Sequence, residues 1–478
     1  RQRQMCIRDS IYTALCLERP PAGSGVEASL ADPIMHRLFG DYEELAFIKP
    51  VREDRLPANI QVSELYFKAG SMKGVASAQR NYISSNYTHI ARDMFDAGAN
   101  VLVQLVAARE TADGLSVSLS CNPDTALELG QMFDDSDRSY ISIGQIHPDL
   151  PYMKNDAEIG VGVMDLLVSN PDYDKTLFAV PNSAVPLKDY ATALHASTLV
   201  ADGGTLQIGI GALGDAVAYS CILRQEHNSA YCQAVESLTH QHAAVAGHRE
   251  SFDKGLYVST EMFVNGMMQL IEHGVVKRKV YDNLALQTGL NNGAISSAID
   301  ERLFEYCRAQ GVIPIHLGER DLETLTYWGI LNSVTLASAD TLSVAGESVP
   351  NNMDDPQTRS AVLGAAKGAV LRNGRILHGG FFLGPADFYQ KLRELDALGQ
   401  EQICMTGVQR TNQLLLDYPL YCAQRQQARF INTGMMVTLT GAVASDALED
   451  GTVISGVGGQ YNFVAMAHDL PGARSCLL

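Results

Sequence analysis

The chain lacks several features that would place it in common protein classes. Among its 478 residues, 36 are Lys or Arg and 54 are Asp or Glu, so the formal net charge is −18. A chain this acidic is a poor general binder of nucleic acid or of anionic membrane. It holds a single Trp, and no apolar run is long enough to span a bilayer. We therefore expect no nucleic-acid partner and no membrane association.

Patterns of metal, disulfide and serine-hydrolase chemistry are also missing. The nine Cys residues include no CxxC pair, which is typical of reduced thiols in a cytoplasmic protein, and no secretory segment is visible. No G-x-S-x-G motif marks a serine nucleophile. His240, His242 and His248 match no zinc spacing. We predict a solvated loop there, no metal site and a cytoplasmic location.

Short apolar runs alternate with helical periodicity from about residue 46 onward. AFIKPV (46–51), GLSVSLS (114–120), SYISIGQI (139–146) and TLQIGIG (205–211) predict strands. ANVLVQLVAA (99–108) predicts a strand buried on both faces, whereas 226–250 is irregular and is expected to be partly loop. Strands that alternate with helices indicate an α/β fold of two related open domains with largely parallel sheets and an active site between them.

Composition also predicts the domain limits. The stretch 170–190 is rich in Pro, Asn and Asp, so we place a boundary at its end. This gives an N-terminal α/β domain at 46–186 and a C-terminal one at 187–478, after a poorly defined segment at 1–45. Residues 1–10 are polar and aperiodic, resemble translated sequencing-adapter sequence, and are expected to be non-native. We expect the C-terminal domain to be incomplete at its end.

Two glycine loops follow predicted strands. GIGALG (209–214) fits G-x-G-x-x-G, the dinucleotide fingerprint, whose backbone N–H groups face phosphate. That fingerprint expects an acid about 20 residues later at a strand end. Glu236 lies near that distance, but its surroundings do not predict a strand. A nicotinamide-dependent oxidoreductase and a purely structural turn both stay open. SGVGGQYNF (455–463) is the second loop.

Glu261 is a single carboxylate that follows a short run of β-forming residues. At the carboxyl end of a strand in an open α/β sheet, its side chain would point into the crevice where ligands bind. The alternative is structural. Glu261 would then follow a Ser259–Thr260 cap in the first turn of a helix and favour the helix dipole.

Several ordered blocks together resemble the acetyl-CoA hydrolase/transferase family, which includes acetate, succinate and 4-hydroxybutyrate CoA-transferases. They are ISSN (83–86), QLVAARETADGLSVSLSCNPD (104–124), TLQIGIGALGDAVA (205–218), VSTEMFVNGMMQLIEHGVV (258–276), FINTGMMVTLTGAV (430–443) and SGVGGQYNF (455–463). The similarity covers most of the chain from about residue 46, and the stretch 318–375 matches poorly. The resemblance implies a homodimer or larger homo-oligomer.

The resemblance implies a role for Glu261 as the catalytic nucleophile, which carries CoA as a glutamyl thioester between an acyl-CoA and a carboxylate acceptor. No cofactor is bound permanently, and coenzyme A is a substrate. One wall of the site would come from the first glycine loop, the other from the second, with one amide as a polar contact. The implied binding residues are Gly209, Ile210, Gly211, Ala212, Asn432, Gly456, Gly458 and Gly459.

Three positions depart from the family pattern, since Asn265, Thr438 and Asn462 stand where the family has Asp. The changes remove charge and are expected to alter substrate or local structure. An acyl-CoA hydrolase that uses the same Glu261 remains an alternative to the transferase. A non-catalytic fragment is a further alternative, and it would form no covalent adduct.

Overall fold

A computed structural model describes residues 9–20, 23–112, 114–239 and 247–478. The chain divides into two compact units. The first comprises the described parts of Arg1–Lys277, Leu377–Leu416 and Gln427–Leu478, and the second comprises Arg278–Ile376 and Asp417–Gln426. A solvated loop is predicted around three histidines, and two of them, His240 and His242, lie outside the described residues.

The strands are β1 (Asp9–Thr13), β2 (Ile60–Glu64), β3 (Val101–Thr111), β4 (Gly114–Ser118), β5 (Ile141–Ile146), β6 (Glu158–Ile159), β7 (Leu166–Val168), β8 (Thr205–Ile208), β9 (Tyr257–Phe263), β10 (Val334–Ser338), β11 (Thr341–Val344), β12 (Glu347–Pro350), β13 (Leu377–Phe382), β14 (Ile403–Met405), β15 (Arg429–Asn432), β16 (Met436–Val437), β17 (Val443–Ala444) and β18 (Arg474–Leu477).

The helices are α1 (Val26–Phe39), α2 (Ile48–Arg52), α3 (Ala76–Arg80), α4 (Ile90–Asp96), α5 (Pro123–Asp134), α6 (Leu187–Ser197), α7 (Ala212–Glu226), α8 (Asn228–Thr239), α9 (Asn265–Glu272), α10 (Leu284–Asn291), α11 (Glu301–Ala309), α12 (Glu319–Tyr327), α13 (Pro356–Ala365), α14 (Ala386–Arg393), α15 (Ala397–Gln402), α16 (Val408–Asn412), α17 (Tyr418–Gln424) and α18 (Gln460–Asp469). Within the described residues, no helix is long and apolar enough to cross a membrane.

The first unit is built on a six-stranded sheet with the order β14-β13-β9-β8-β15-β18. Each neighbouring pair in this sheet runs parallel. Every residue of β8 is buried, and β9, β13 and β15 are buried along most of their lengths. Near-continuous burial is typical of parallel strands that are covered on both faces. The predicted α/β class with largely parallel sheets is therefore confirmed.

A second sheet of the first unit has the order β6-β4-β3-β5-β7. β5 runs parallel to β3 and β7, whereas β4 forms an antiparallel hairpin with β3. The prediction that 99–108 is a strand buried on both faces is only partly right. Val106 and Ala107 are buried, but Val103 is 63% exposed. The apolar run was therefore no guide to burial at the start of this strand.

One local prediction is wrong, and a second is made more specific by the structure. AFIKPV, expected as a strand, contributes to helix α2, because so short an apolar run fits either structure and packing decides. Residues 226–250, predicted to be irregular and partly loop, include helix α8, on which Tyr231 and Val235 are buried. These two side chains lie four residues apart and therefore share one helix face.

The second unit has its own hydrophobic core and contains the stretch 318–375, whose sequence departs from the family pattern. Its sheet is an antiparallel meander with the order β10-β11-β12. The single Trp of the chain, Trp328, packs edge-on against Tyr281 and Tyr327. A core with its own sheet and aromatic cluster accounts for the compactness of this unit.

Arg224 anchors the far end of α7, the helix that begins at the first glycine loop. It is 1% exposed, and its guanidinium donates to the carbonyl oxygens of Glu250 (2.7 Å), Val200 (2.7 Å) and Ser197 (3.3 Å). The guanidinium carbon also lies 4.2 Å from the ring centroid of Phe252. A buried cation is tolerated here because several acceptors surround it.

Arg224→Ala is expected to lower the free energy of unfolding by about 3 kcal/mol, because it leaves buried carbonyl groups without a donor. Denaturant unfolding measures the change. The matched control is Arg55→Ala, since that side chain is 64% exposed and pairs with Glu53 at the surface. We expect the control to stay within about 0.5 kcal/mol of the parent protein. Equal losses in the two variants would contradict the anchoring role.

Candidate active site

Glu261 lies near the carboxyl end of β9, within the strand rather than in the helix that follows. Helix α9 begins only at Asn265, and its N-cap is Val264. The structural alternative, in which Glu261 favours the dipole of that helix, is therefore wrong. Side chains at the carboxyl ends of parallel strands meet at one edge of the sheet, where ligands bind in open α/β folds. The strand delivers Glu261 to that edge.

The Glu261 carboxylate fits against a glycine. A Cβ atom at position 459 would overlap both Glu261 Oε2 and Asn412 Nδ2. Asn412 Nδ2 in turn donates a hydrogen bond to Glu261 Oε2 over 2.6 Å. Gly459 is also the N-cap of α18, so the carboxylate lies at the start of that helix. Free N–H groups and the helix dipole favour negative charge at such a position.

The second glycine loop is held by residues from the N-terminal part of the chain. The backbone N–H of Tyr87 donates to the carbonyl oxygen of Gly458 over 3.1 Å. Gly456 lies so close to Tyr66 that a Cβ atom would overlap the ring, and a Cβ at Gly458 would lie 3.8 Å from Glu261 Oε1. Of the predicted glycines, Gly458 and Gly459 thus lie against Glu261, while Gly456 packs on Tyr66.

The first glycine loop lies at the same edge of the sheet. β8 is the parallel neighbour of both β9 and β15, so the residues that follow β8 lie beside the ends of those strands. Gly211 is the N-cap of α7 with φ of +92°, and its Cβ position faces open space. Ala212 is the first helical residue, and Ile210 is 53% exposed. The strand, glycine turn and helix predicted for GIGALG are confirmed.

Two predicted details of this loop do not fit a ligand-binding role. The Cβ position of Gly209 faces Asn432, 3.1 Å from its Oδ1. Asn432 forms two reciprocal amide hydrogen bonds with Gln207, of 2.9 and 3.0 Å. This pairing joins β8 to β15 and occupies the side chain predicted to contact substrate.

Glu236, the acid near the fingerprint spacing, lies in α8 and pairs with Arg249 at 3.4 Å, not at a strand end.

Burial dominates the electrostatics around Glu261. Desolvation raises the pKa of the Glu261 carboxyl to about 7; the Asn412 hydrogen bond opposes this rise, and the charge of Asp124 adds to it. Burial also raises the pKa of Asp124 to about 6, against the hydrogen bond from the Tyr87 hydroxyl. Burial and the nearby Glu261 raise the pKa of Tyr66, whose phenol keeps its proton at neutral pH. Raised carboxyl pKa values in a cleft are typical of functional sites.

Sequence reasoning missed four side chains that the fold brings to this place. They are Tyr66, Tyr87, Asp124 and Asn412. Asp124 ends one of the blocks that resemble the family, so a signal was present there. Asn412 stands outside every glycine loop and every block, and no sequence pattern pointed to it.

The three positions that depart from the family differ in surroundings. Asn462 Nδ2 donates to Thr88 Oγ1 over 2.9 Å, while its Oδ1 is buried without a hydrogen-bond partner among the described residues. The Oδ1 of Asn265 is likewise buried and unpartnered within the described part of the chain. The hydroxyl of Thr438, by contrast, is exposed and accepts from the backbone N–H of Ala442 over 3.0 Å. Of the three, only Asn462 lies on α18, the helix whose N-terminus meets the Glu261 carboxylate.

Comparison with known sequences finds a family model that matches the C-terminal part of the chain. The sequence profile of the acetyl-CoA hydrolase/transferase C-terminal domain matches residues 384–478. This segment is similar to the C-terminal domain of that family. It contains Asn412 and the second glycine loop, whereas Glu261 lies before it. The predicted family resemblance is confirmed, and the general chemistry is that of an enzyme of CoA transfer or acyl-CoA hydrolysis. No curated protein sequence matches the chain.

Solved structures share the fold at low sequence identity. RipA from Yersinia pestis is 15% identical with a TM-score of 0.52, over 100% of this chain and 79% of RipA. A point mutant of RipA gives 18% identity and a TM-score of 0.54, over 99% and 79%. A 4-hydroxybutyrate CoA-transferase from Porphyromonas gingivalis is 14% identical with a TM-score of 0.46, over 99% and 78%. The RipA structures support the fold of this chain and nothing finer.

Gly459→Ala is expected to lower acyl-CoA turnover at least ~100-fold, because the added methyl group displaces the carboxylate and amide that meet there. Steady-state kinetics on folded protein measures the loss. The matched control is Gly160→Ala, whose Cβ position has nothing within 4 Å and whose φ of −65° suits any residue. Wild-type turnover in the Gly459 variant would show that the contact is not part of the site.

Proposed function

We propose that the protein is a CoA-transferase that moves CoA from an acyl-CoA to a small carboxylate through a glutamyl-CoA thioester on Glu261. The observation that carries the proposal is the placement of this one carboxylate at the sheet edge, hydrogen-bonded to Asn412 and packed on Gly459. A carboxylate can accept an acyl group and then CoA, and Ser, Cys or metal nucleophiles are not needed.

The reaction begins with attack of a Glu261 oxygen on the thioester carbonyl carbon. A C–O bond forms and the C–S bond breaks, which gives a mixed anhydride and the CoA thiolate. The thiolate then attacks the Glu261 Cδ and releases the first carboxylate, leaving a glutamyl-CoA thioester. The acceptor carboxylate then attacks the glutamyl thioester, which gives a second mixed anhydride and releases the CoA thiolate. The thiolate attacks the acceptor's acyl carbon of this anhydride. A new acyl-CoA leaves and the Glu261 carboxylate is regenerated, so kinetics are ping-pong.

Each protein group has a defined task in this scheme. Asn412 fixes one carboxylate oxygen, so that the other is free to attack. The N-terminus of α18 lies beside the carboxylate and would stabilise the oxyanion that develops at each tetrahedral intermediate. Burial removes water from the carboxylate, which raises its pKa and its basicity. The N-terminus of α7, with open space at Gly211, would receive the anionic part of CoA.

An acyl-CoA hydrolase is the second candidate, because the matching domain family includes both activities. In that reaction water attacks the glutamyl thioester and releases CoA and the free Glu261 carboxylate. The two candidates share every residue named above. They differ only in whether water or a second carboxylate reaches the Glu261 Cδ.

Incubation with an acyl-CoA followed by borohydride is expected to label Glu261, because borohydride reduces a glutamyl thioester to an alcohol. Peptide mass spectrometry locates the label. Glu261→Ala is expected to abolish both labelling and turnover while CoA binding changes only a few-fold. The matched control is Glu272→Ala, which removes a glutamate of the adjacent helix that pairs with Lys391. Full turnover in the Glu261 variant would refute the proposal. Addition of acetate, succinate or water alone as acceptor separates transferase from hydrolase.

The pKa of Glu261 predicts the acid limb of the pH profile. Only the ionised carboxylate attacks, so kcat/KM is expected to fall about tenfold per pH unit below about 7. The pKa of Asp124 is about 6, so Asp124 is charged while Glu261 titrates and disfavours its ionisation. Asp124→Asn removes this repulsion and is expected to move the limb to lower pH, but not down to the ordinary pKa of a glutamate, since burial remains.

The control for that shift is Asp172→Asn, an exposed position in a surface turn, which should leave the limb in place. The Asn side chain at 124 can still accept from the Tyr87 hydroxyl, so geometry is retained. A limb that stays fixed or moves upward in Asp124→Asn would contradict the electrostatic account.

A further inference from the structure

A second glutamate, Glu128, contacts the opposite end of the helix that carries Asn412. Glu128 lies on α5, and its Oε1 accepts a hydrogen bond from the backbone N–H of Gln409 over 2.6 Å. Gln409 is the second residue of α16, whose first N–H groups have no partner within the helix. A Cβ atom at Gly407 would lie 3.1 Å from the same Oε1. The glycine thus lets the two segments approach closely.

The other end of α16 fixes the amide that faces the nucleophile. Asn412 is fully buried, and its Oδ1 accepts from the hydroxyl of Thr411 over 2.9 Å. The ionised Glu261 carboxylate only accepts, so the end of the amide that faces it is the NH₂ group, which donates. The Nδ2 group is therefore the end that points at Glu261 Oε2.

Helix α16 has only five residues, so its own hydrogen bonds cannot hold it in place. Its position must therefore come from contacts with other elements. Glu128 supplies such a contact at the start of α16, through a carboxyl group that can be ionised. The proposed function requires Asn412 to stay within hydrogen-bond distance of Glu261. We infer that Glu128 is a positioning residue, which holds α16 by its first turn and thereby sets the Asn412 amide on the Glu261 carboxylate.

The surroundings of Glu128 favour this role over ordinary helix capping. Its Oε2 is buried and has no hydrogen-bond partner among the described residues. Burial raises the pKa of Glu128 to about 7, against the bonds from Gln409. Burying a carboxyl oxygen without a hydrogen-bond partner is unfavourable. A cap at the protein surface, such as Asp300 at the start of α11, does not carry this cost because water reaches its carboxylate. The inference rests on the proposed function, since it concerns the same nucleophile.

The test is a double-mutant cycle on kcat with Glu128→Ala, Asn412→Ala and the double variant. Glu128→Ala is expected to lower kcat ~10- to 100-fold with little change in KM for acyl-CoA, because misplacement of a catalytic contact acts on the reacting state. If Glu128 acts through Asn412, its removal costs nothing further once Asn412 is gone. Glu128→Gln is expected to restore most of kcat, since an amide oxygen still accepts from the Gln409 N–H.

The matched control is Asp300→Ala, which removes a side chain that accepts from the backbone N–H of Leu303 over 2.9 Å at the start of α11. It is expected to lower the melting temperature and leave kcat within about twofold. Additive losses in the cycle, or a Gln variant no better than Ala, would overturn the positioning role. Should Glu128→Ala fail to fold, the same cycle is run with Glu128→Asp, which withdraws the carboxylate by one methylene group.

The outcome separates this inference from the proposed function. Full turnover in Glu261→Ala means that the function itself is wrong. Loss of turnover and of label in Glu261→Ala, together with additive losses at Glu128 and Asn412, means that only the positioning role is wrong.

Discussion

The rest of the site depends on one steric constraint: the Glu261 carboxylate occupies space that exists only because residue 459 has no side chain. With that space open, the carboxylate can lie at the N-terminus of α18 and accept from Asn412. Three segments that are distant in the sequence must then hold their positions to within a few tenths of an ångström. The parallel sheet holds Glu261 in place, because its neighbours Thr260 and Met262 both pair with strand β13.

The same closeness creates an electrostatic conflict. Burial disfavours the ionised carboxylate that attack requires, and the Asp124 charge adds to this effect. The Asn412 amide and the N-terminus of α18 act in the opposite direction. Asn462, in the first turn of that helix, is an amide where the family has a carboxylate. As an amide it adds no negative charge to the first turn of α18.

The N-terminal part of the chain supplies several of the groups around Glu261. Tyr87 holds the second glycine loop through its backbone N–H and holds Asp124 through its hydroxyl. Helix α5 contributes Asp124 and Glu128 from one face, since they lie four residues apart. Glu261 is thus surrounded by groups from both ends of the sequence.

By itself the sequence determined the α/β class, the turn between β8 and α7, the family resemblance that holds over 384–478, and Glu261 as the residue to suspect. These follow from patterns within a few turns or strands, where residue type and period constrain the backbone directly. It did not determine that AFIKPV is helical, that Asn432 is occupied by Gln207, or that Asn412 meets Glu261. The last two are contacts across 151 to 225 residues of chain. Only the order in which the strands assemble decides such contacts, because no local period encodes which distant segments become neighbours.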